Sequence, residues 1–396
     1  MKILHIHDRP AGYGGGEVYF AEVVAGQLQR GHQVATLHLL AADAGESSRP
    51  GKHVLHKPHG YFKGLAKLPR LLQIVEQEAP DVIHLHCLFT PVWLRALLSA
   101  YPLVLTLHSV EMLCFLSSKI RADNRQICRS AMGWHCIASG CYKPLQFGGW
   151  LYGPYQAWLR YRLLRMLPRL HKLIAPSASM AEELRLVGVP AERIAVVPHF
   201  TALPQVGVSD TKRPAGQLLF VGRFSWEKGV SEFVDMLNRL QTPGWQATMV
   251  GEGPMLAELE QRLAEAGLTS RVRLAGKVAR EAMPQVYQQA DLLVVPSQVP
   301  EAFGLAGIEA MAAGRPVVGF DIGGIRDWLA HETSGFLVEA GDRQGLARRV
   351  DQLLQDDALR TRMGEAAGRR AKELYSLPVH LQRLQSVYEE AAGAAR

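Results

Sequence analysis

Short apolar runs of strand length alternate with segments of helical period along nearly the whole chain, and few folds accept that alternation. The strand-like runs are 2–7, 33–40, 82–86, 103–108, 172–175 and 194–197, then 217–221, 247–250, 272–275, 292–295, 316–320 and 335–338. Helical segments such as 18–30, 65–78, 182–187, 230–240, 255–266 and 345–355 separate them. A strand that continues into a helix of this length returns parallel to its predecessor, so the pattern predicts parallel sheets covered on both faces. A chain of 396 residues is too long for one ordinary core and fits two α/β domains of roughly 200 residues. The stretch 200–216, rich in Thr, Pro, Gly, Ser and charge and without a clear period, reads as the linker. The expectation is an N-terminal domain over 1–205 and a second domain from 206. Open α/β sheets bind ligands at the carboxyl ends of their strands, so two such domains facing each other would place the chemistry in an interdomain cleft.

The most informative segment is 300–316. A buried strand leads into Pro300-Glu301-Ala302-Phe303-Gly304-Leu305, the spacing turns helical from Leu305, and Gly314 and Pro316 stop the helix. Exposed amides after Gly304 suit an anion such as a diphosphate, which the helix dipole also favours. Glu301 and Glu309, eight positions apart, can line one pocket around a polyhydroxylated ligand. Spacing alone is better explained by a capping carboxylate and a solvated helix residue. A second strand ends in Gly222-Arg223-Phe224-Ser225-Trp226-Glu227-Lys228-Gly229. Arg223 and Lys228 beside a strand end suit two phosphates, and would stabilise charge on a departing diphosphate. The competing reading, two surface cations at a helix N-terminus, is disfavoured by the dipole.

Near the N-terminus, Gly12-Tyr13-Gly14-Gly15-Gly16-Glu17 follows the first strand and opens a helix, where glycines let a phosphate or sugar approach the backbone. It is not a dinucleotide fingerprint: the sixth position of G-x-G-x-x-G is Glu17, and no acid stands at the end of the second strand near Leu40. His108 follows the run Leu103-Val104-Leu105-Thr106-Leu107, where a histidine is as readily a structural hydrogen-bonding group as a reactive one.

These segments together resemble the GT4 family of glycosyltransferases. Residues 301–318 are similar to its E-x-F-G-x-x-x-x-E-A-x-A-x-G-x-P-V-V signature, and residues 222–229 to its G-R-x-x-x-x-K-G motif. The resemblance spans nearly the whole chain, with one departure: many relatives carry Pro-Asn-Gly where this chain has Pro198-His199-Phe200, so a role given to that Asn does not transfer. It implies a GT-B architecture of two Rossmann-like doubly wound domains with an interdomain cleft, the second spanning 206–378 and the helix of 379–396 returning to the first. It also implies a retaining hexosyltransferase that uses a nucleotide-diphosphate sugar, a UDP- or GDP-sugar, and needs no cofactor for catalysis. The implied roles are Glu301 and His108 on the donor sugar, Glu309 on the ribose, and Arg223 and Lys228 on the diphosphate. Gly15, Gly16, Phe303, Gly304 and Leu305 complete the donor-binding set. The implied acceptor is a glycan or lipid-linked saccharide, as in the synthesis of cell-surface polysaccharide or lipopolysaccharide.

Charge and cysteine placement bear on the other half of the reaction. Residues 1–205 carry 22 Lys+Arg against 13 Asp+Glu, or +9, and residues 206–396 carry 22 against 24, or −2. One domain therefore faces something anionic. Cys114, Cys128, Cys136 and Cys141 fall in one irregular insert of about 112–145 and lack a Cys-x2-Cys pair. A structural zinc and four reduced thiols are the two readings. Residues 147–172 interleave Trp150, Tyr152, Tyr155, Trp158 and Tyr161 with Arg160, Arg162, Arg165, Arg169 and Lys172, a composition suited to an amphipathic helix on an anionic membrane surface. Plain packing on the first sheet and nucleic-acid stacking are the alternatives. No apolar run reaches the roughly 20 residues that span a bilayer, and no signal-peptide pattern opens the chain. A cytoplasmic protein, peripheral on the membrane at most, is expected. A nucleotide-dependent oxidoreductase is disfavoured by the failed glycine fingerprint. A non-catalytic nucleic-acid binder is disfavoured by intact Glu301, Glu309, Arg223 and Lys228, so no nucleic-acid partner is expected.

Overall fold

The computed structural model describes residues 1–8, 15–40, 47–58, 61–143, 152–203 and 216–394. The chain forms two compact units, one of Met1–Pro198 with Leu377–Arg396 and one of His199–Ser376. In the first unit the described strands are β1 (Lys2–His7), β2 (Gln33–Leu40), β3 (Ser47–Arg49), β4 (Lys52–His56), β5 (Val82–Leu85), β6 (Leu103–Thr106), β7 (Lys172–Ala175) and β8 (Ile194–Val196). They form one sheet in the order β3-β4-β2-β1-β5-β6-β7-β8, parallel except for the β3–β4 pair. The reversal of order at β1 is the switch point of a doubly wound sheet.

The second unit holds β9 (Gln217–Val221), β10 (Gln246–Val250), β11 (Val272–Gly276), β12 (Leu292–Val295), β13 (Val317–Phe320) and β14 (Gly335–Val338). Their order is β11-β10-β9-β12-β13-β14 and every pair is parallel. Its core is one continuous cluster including Phe220, Phe233, Ile308, Val318, Trp328 and Leu353. Burial on both faces explains why β5, β6, β12 and β13 are nearly all apolar or, where polar, internally hydrogen-bonded.

Two strands escape the sequence pattern. Ser47–Arg49 carries no apolar residue, and Lys52–His56 is a short strand outside β2 whose second polar position, His53, is buried against Glu78. The run 103–108 ends as a strand at Thr106, which leaves His108 two residues beyond it. The C-terminal helix Leu377–Ala394 belongs to the first unit, where it packs on helix Gly15–Gln29 and on β5 and β6. Most of the expected linker, 204–215, lies outside the described residues.

Candidate active site

In the second unit, β12 runs into Pro296 and Ser297, and the loop from there to Gly304 carries Glu301. Gly229 lies between the short 3-10 turn Trp226–Lys228 and helix Val230–Leu237, at φ 71°, and an added Cβ would sit 1.7 Å from the Pro296 carbonyl oxygen. Only glycine allows that approach. The approach in turn sets Lys228 beside the Glu301 loop. The Lys228 Nζ donates to Glu301 Oε1 at 2.7 Å, and the Ser297 hydroxyl donates to the same oxygen at 2.5 Å. Burial alone would raise the Glu301 carboxyl, but Lys228 and Ser297 outweigh it and hold it below its ordinary value. Glu301 is thus an anion with a fixed orientation and has no proton to give.

Glu309, on helix Leu305–Ala312, has different partners. Tyr287 donates to its Oε2 at 2.8 Å and Arg280 to its Oε1 at 3.3 Å. Burial is the larger influence here and leaves the carboxyl above its ordinary value despite both donors. Gly304 starts that helix at φ 98°. Phe303 is 2% exposed, packed edge-on against His199 and Tyr375, and its carbonyl accepts from Trp328 Nε1. Trp328 also lies against Gly307, where an added Cβ would come within 2.1 Å of the ring. Arg223 is exposed on the loop after β9. Sequence reasoning picked out Glu301, Lys228, Glu309 and Phe303 but missed Ser297, Tyr287, Arg280 and Trp328. Of these, Ser297 stands four residues before Glu301.

In the first unit a cavity of about 640 Å³ lies beyond the carboxyl ends of β1, β5 and β6. His7, Asp8, Gly16, Lys57, His86 and His108 line one part of it, and Phe89, Phe115, Tyr152 and Arg160 another. Lys57 is ion-paired with Asp8. Gly16 lies in helix Gly15–Gln29 with open space where a Cβ would stand, and Gly15 begins that helix, while Gly12 to Gly14 fall outside the described residues.

His108 belongs to a larger set. His5 and His7 on β1, His84 and His86 at β5, and Thr106 and His108 at β6 alternate along their strands, so each pair shares a face. The repeated H-x-H, H-x-H and T-x-H at three neighbouring strand ends was legible and went unread beyond His108. His5, His84 and His86 are the one group of three among the described residues whose ligand atoms all lie within 4.8 Å of one another. They do not suit one metal ion: His5 Nδ1 and His86 Nε2 are 2.9 Å apart and hydrogen-bonded, whereas two nitrogens on a tetrahedral zinc stand about 3.3 Å apart with no proton between them. Burial drives these rings neutral, His5 down to about 4 and His84 and His86 well below the ordinary histidine value.

The cysteine insert does not form a ready metal cage. All four thiols are free, and no three of their sulfurs lie within 4.8 Å of one another. Four sulfurs on zinc would be about 3.8 Å apart, so an ion there would have to draw the insert inward. Cys136 and Cys141 pack with Tyr142 in a small core of their own, and burial, with the neighbouring thiols, raises the Cys136 thiol. The aromatic–basic stretch also divides. Helix Tyr152–Leu164 buries Leu159 and Leu164 and exposes Tyr152, Trp158, Tyr161 and Arg162, and Arg165 just beyond it is exposed as well. Two of the basic residues are internal props: Arg160 donates to the Glu111 and Cys114 carbonyls, and Lys172 pairs with Glu390. Trp150 lies outside the described residues. No helix among the described residues is long and apolar enough to cross a membrane.

Comparison with known proteins decides the family. Residues 13–203 match the model described as Glycosyltransferase Family 4, and residues 207–370 the one described as Glycosyl transferases group 1. The D-inositol 3-phosphate glycosyltransferase of Xylanimonas cellulosilytica is 30% identical over 414 residues, which cover 94% of this chain and 91% of that protein. The chain belongs to the GT4 family of glycosyltransferases. The alpha-D-kanosaminyltransferase of Streptomyces kanamyceticus is 30% identical over 223 residues, covering 53% of this chain and 57% of the other. For several relatives of this kind the chain spans about half their length. Among solved structures, HepE of Anabaena in complex with UDP has a TM-score of 0.71 at 22% identity, covering 98% of this chain and all of the other. The sucrose-phosphate synthase of Thermosynechococcus elongatus has a TM-score of 0.72 at 21% identity, covering 99% of each chain. The fold of this family member is GT-B, with one doubly wound sheet in each unit.

Proposed function

We propose that this GT4 member transfers a hexose-type sugar from a nucleotide-diphosphate donor, a UDP- or GDP-sugar, to a glycan or lipid-linked saccharide, with retention at the anomeric carbon and without a divalent cation. The observation that carries this reading is the contact of Lys228 and Ser297 with Glu301 at the end of β12. An ammonium has three donors, and Glu301 uses one, so Lys228 keeps donors for a phosphate oxygen while still fixing the carboxylate. Arg223, exposed nearby in sequence, adds a second cation for the diphosphate. Glu301, held as an anion, accepts from sugar hydroxyls and favours positive charge developing on the ring, which is electrostatic positioning rather than base catalysis. The family resemblance assigns Glu309 to the ribose, the helix-start amides to the phosphate, and His108 to the donor sugar. HepE, which shares the fold, is described bound to UDP, which supports a nucleotide donor here.

The acceptor side rests on the first unit. Its net positive charge and the exposed Phe62, Tyr152, Trp158 and Tyr161 beside Lys63, Arg162 and Arg165 support peripheral contact with an anionic membrane that carries the acceptor. The Tyr61 ring lies at a tilt beside Trp158 and its amide donates to the Tyr155 hydroxyl, which joins the two helices that present these residues. A donor-hydrolysis screen over UDP- and GDP-sugars with the purified chain, followed by proton NMR of the released anomer, tests the proposal. Hydrolysis of one donor with retention in the first-formed sugar is expected. Binding of none of them, or an inverted first product, sinks it.

A further inference from the structure

The cavity of about 640 Å³ beyond β1, β5 and β6 falls in the range of about 300–1,000 Å³ that encloses a whole small ligand. Its two ends ask for different chemistry. At the strand ends Asp8, Lys57 and Ser109 line it with groups that meet hydroxyls. At the other end Phe89, Met112, Phe115, Leu159 and Leu163 line it with apolar surface. A saccharide alone would leave those walls against water, and a hydrocarbon alone would strip water from the polar end.

Helix Tyr152–Leu164 forms one wall. Its Gln156, Leu159, Arg160 and Leu163, spaced i, i+3, i+4 and i+7, line the cavity, whereas Trp158, Tyr161 and Arg162 are exposed on another face. Arg160 is the one charge in the inner stripe. Its Nη1 donates to the Cys114 carbonyl at 3.3 Å, its Nη2 donates to the Glu111 carbonyl at 2.6 Å, and its guanidinium lies 5.6 Å from the Phe115 ring centre. Those contacts use two of five donors and supply no negative charge. Lys57, the other Lys or Arg lining the cavity, is neutralised by Asp8, but no carboxylate among the described residues pairs with Arg160. Burial holds the guanidinium below its ordinary value, outweighing the attraction of the exposed Glu111 and of Cys114. A half-buried cation beside apolar walls is costly until an anion joins it.

We propose that the cavity takes a phosphate ester of an apolar alcohol, with the phosphate on Arg160, the hydrocarbon on Phe115, Leu159 and Leu163, and the attached saccharide toward the strand ends. Arginine presents a planar fork that matches phosphate oxygens. The anion must also join two groups, one at each end of the cavity. A carboxylate loses its charge once esterified, whereas a phosphate esterified on both sides keeps one. The proposal rests on the reading that the acceptor of a glycosyl transfer lies on the first unit, and it narrows that acceptor to a lipid-linked saccharide over a free glycan. The outer stripe of the same helix, proposed for membrane contact, is one helix diameter away, about 10–12 Å.

Isothermal titration calorimetry of the full chain with geranyl phosphate, geraniol and inorganic phosphate, free of detergent and lipid, tests this. Geranyl phosphate is expected to bind about tenfold or more tightly than either half alone. Leu163→Glu, three residues from Arg160 on the same face, gives the guanidinium an internal counter-ion and should weaken geranyl phosphate about tenfold, the scale of one hydrogen bond to a charged group. Arg160→Gln should weaken it as much. Leu163→Glu keeps the carbonyl contacts that Arg160→Gln removes, so a loss in both is not a collapse of the loop that Arg160 supports. Geranyl phosphate bound no tighter than geraniol or phosphate overturns the proposal, as does undiminished affinity in folded Leu163→Glu. A loss of the same size in the double variant Arg162→Gln, Arg165→Gln also overturns it, because binding would then lie on the outer face. Donor hydrolysis is the separate readout. A chain that hydrolyses a nucleotide sugar but fails these binding tests keeps the transfer reading and loses this one. The reverse result keeps the ligand of the cavity and loses the transfer reading.

Discussion

In the second unit Glu301 and Lys228 meet as opposite charges 2.7 Å apart, whereas in the first unit His5 and His86 meet as neutral rings, the nitrogen of one donating to the nitrogen of the other. Both arrangements bury polar groups near strand ends, and both must be satisfied to persist there. The difference lies in what solvent can change. A charge pair is set by which ions are present, so its response to pH follows the carboxylate. Neutral rings are ordered by proton placement, so protonating a ring removes its acceptor and breaks or reverses the hydrogen bond it was accepting.

The largest effects should come from breaking the charge pair. Glu301→Gln or Lys228→Ala is expected to lower transfer by about 100-fold or more, the scale of losing one preorganised charged contact in a transition state. Circular dichroism should stay unchanged, and turnover within a few-fold of native in either variant would count against the site. Next in size is Gly229→Ala. Its Cβ would meet the Pro296 oxygen at 1.7 Å with φ at 71°, so a loss of about 2–4 kcal/mol is expected for the second unit, read as a lower Tm. An unchanged Tm would mean that the turn does not place Lys228 as described.

The smallest effect separates the two units by pH. The folded values of His5 and His380 lie near 4, below their ordinary 6.5, so the unfolded chain binds protons first as the pH falls. Their contribution is therefore complete above about pH 6.5 and lost progressively toward pH 4. Glu301 is also depressed, but from 4.5, so its contribution is kept until the pH falls below that value. Hydrogen exchange at pH 5 should show loosening in helix Leu377–Ala394 and its partners before any change around residues 228 and 301. The opposite order would remove the distinction drawn between a charged and a neutral site.

The strands of both sheets were readable because parallel strands buried on both faces must be continuous apolar runs, as at Leu292–Val295 and Val317–Phe320. Ser47–Arg49 was unreadable because a three-residue antiparallel edge strand needs neither apolar character nor period. Glu301, Lys228 and Glu309 stood out because the Gly and Pro around them mark turns that only certain chemistry uses. Tyr287 and Trp328, which hold Glu309 and Phe303, did not, since a buried aromatic in a helix looks the same whether or not its polar atom has a task.

Sequence by itself determined the two α/β units and the family, because local period and turn chemistry are carried by neighbouring residues. It also carried the alternating histidines at three strand ends. Tertiary structure alone decided that those histidines form one chain, since Gln27 and Tyr388 are 361 positions apart and meet only when the last helix folds back onto the first sheet. A hydrogen bond of 3 Å depends on distance in space, and no spacing along the chain encodes it.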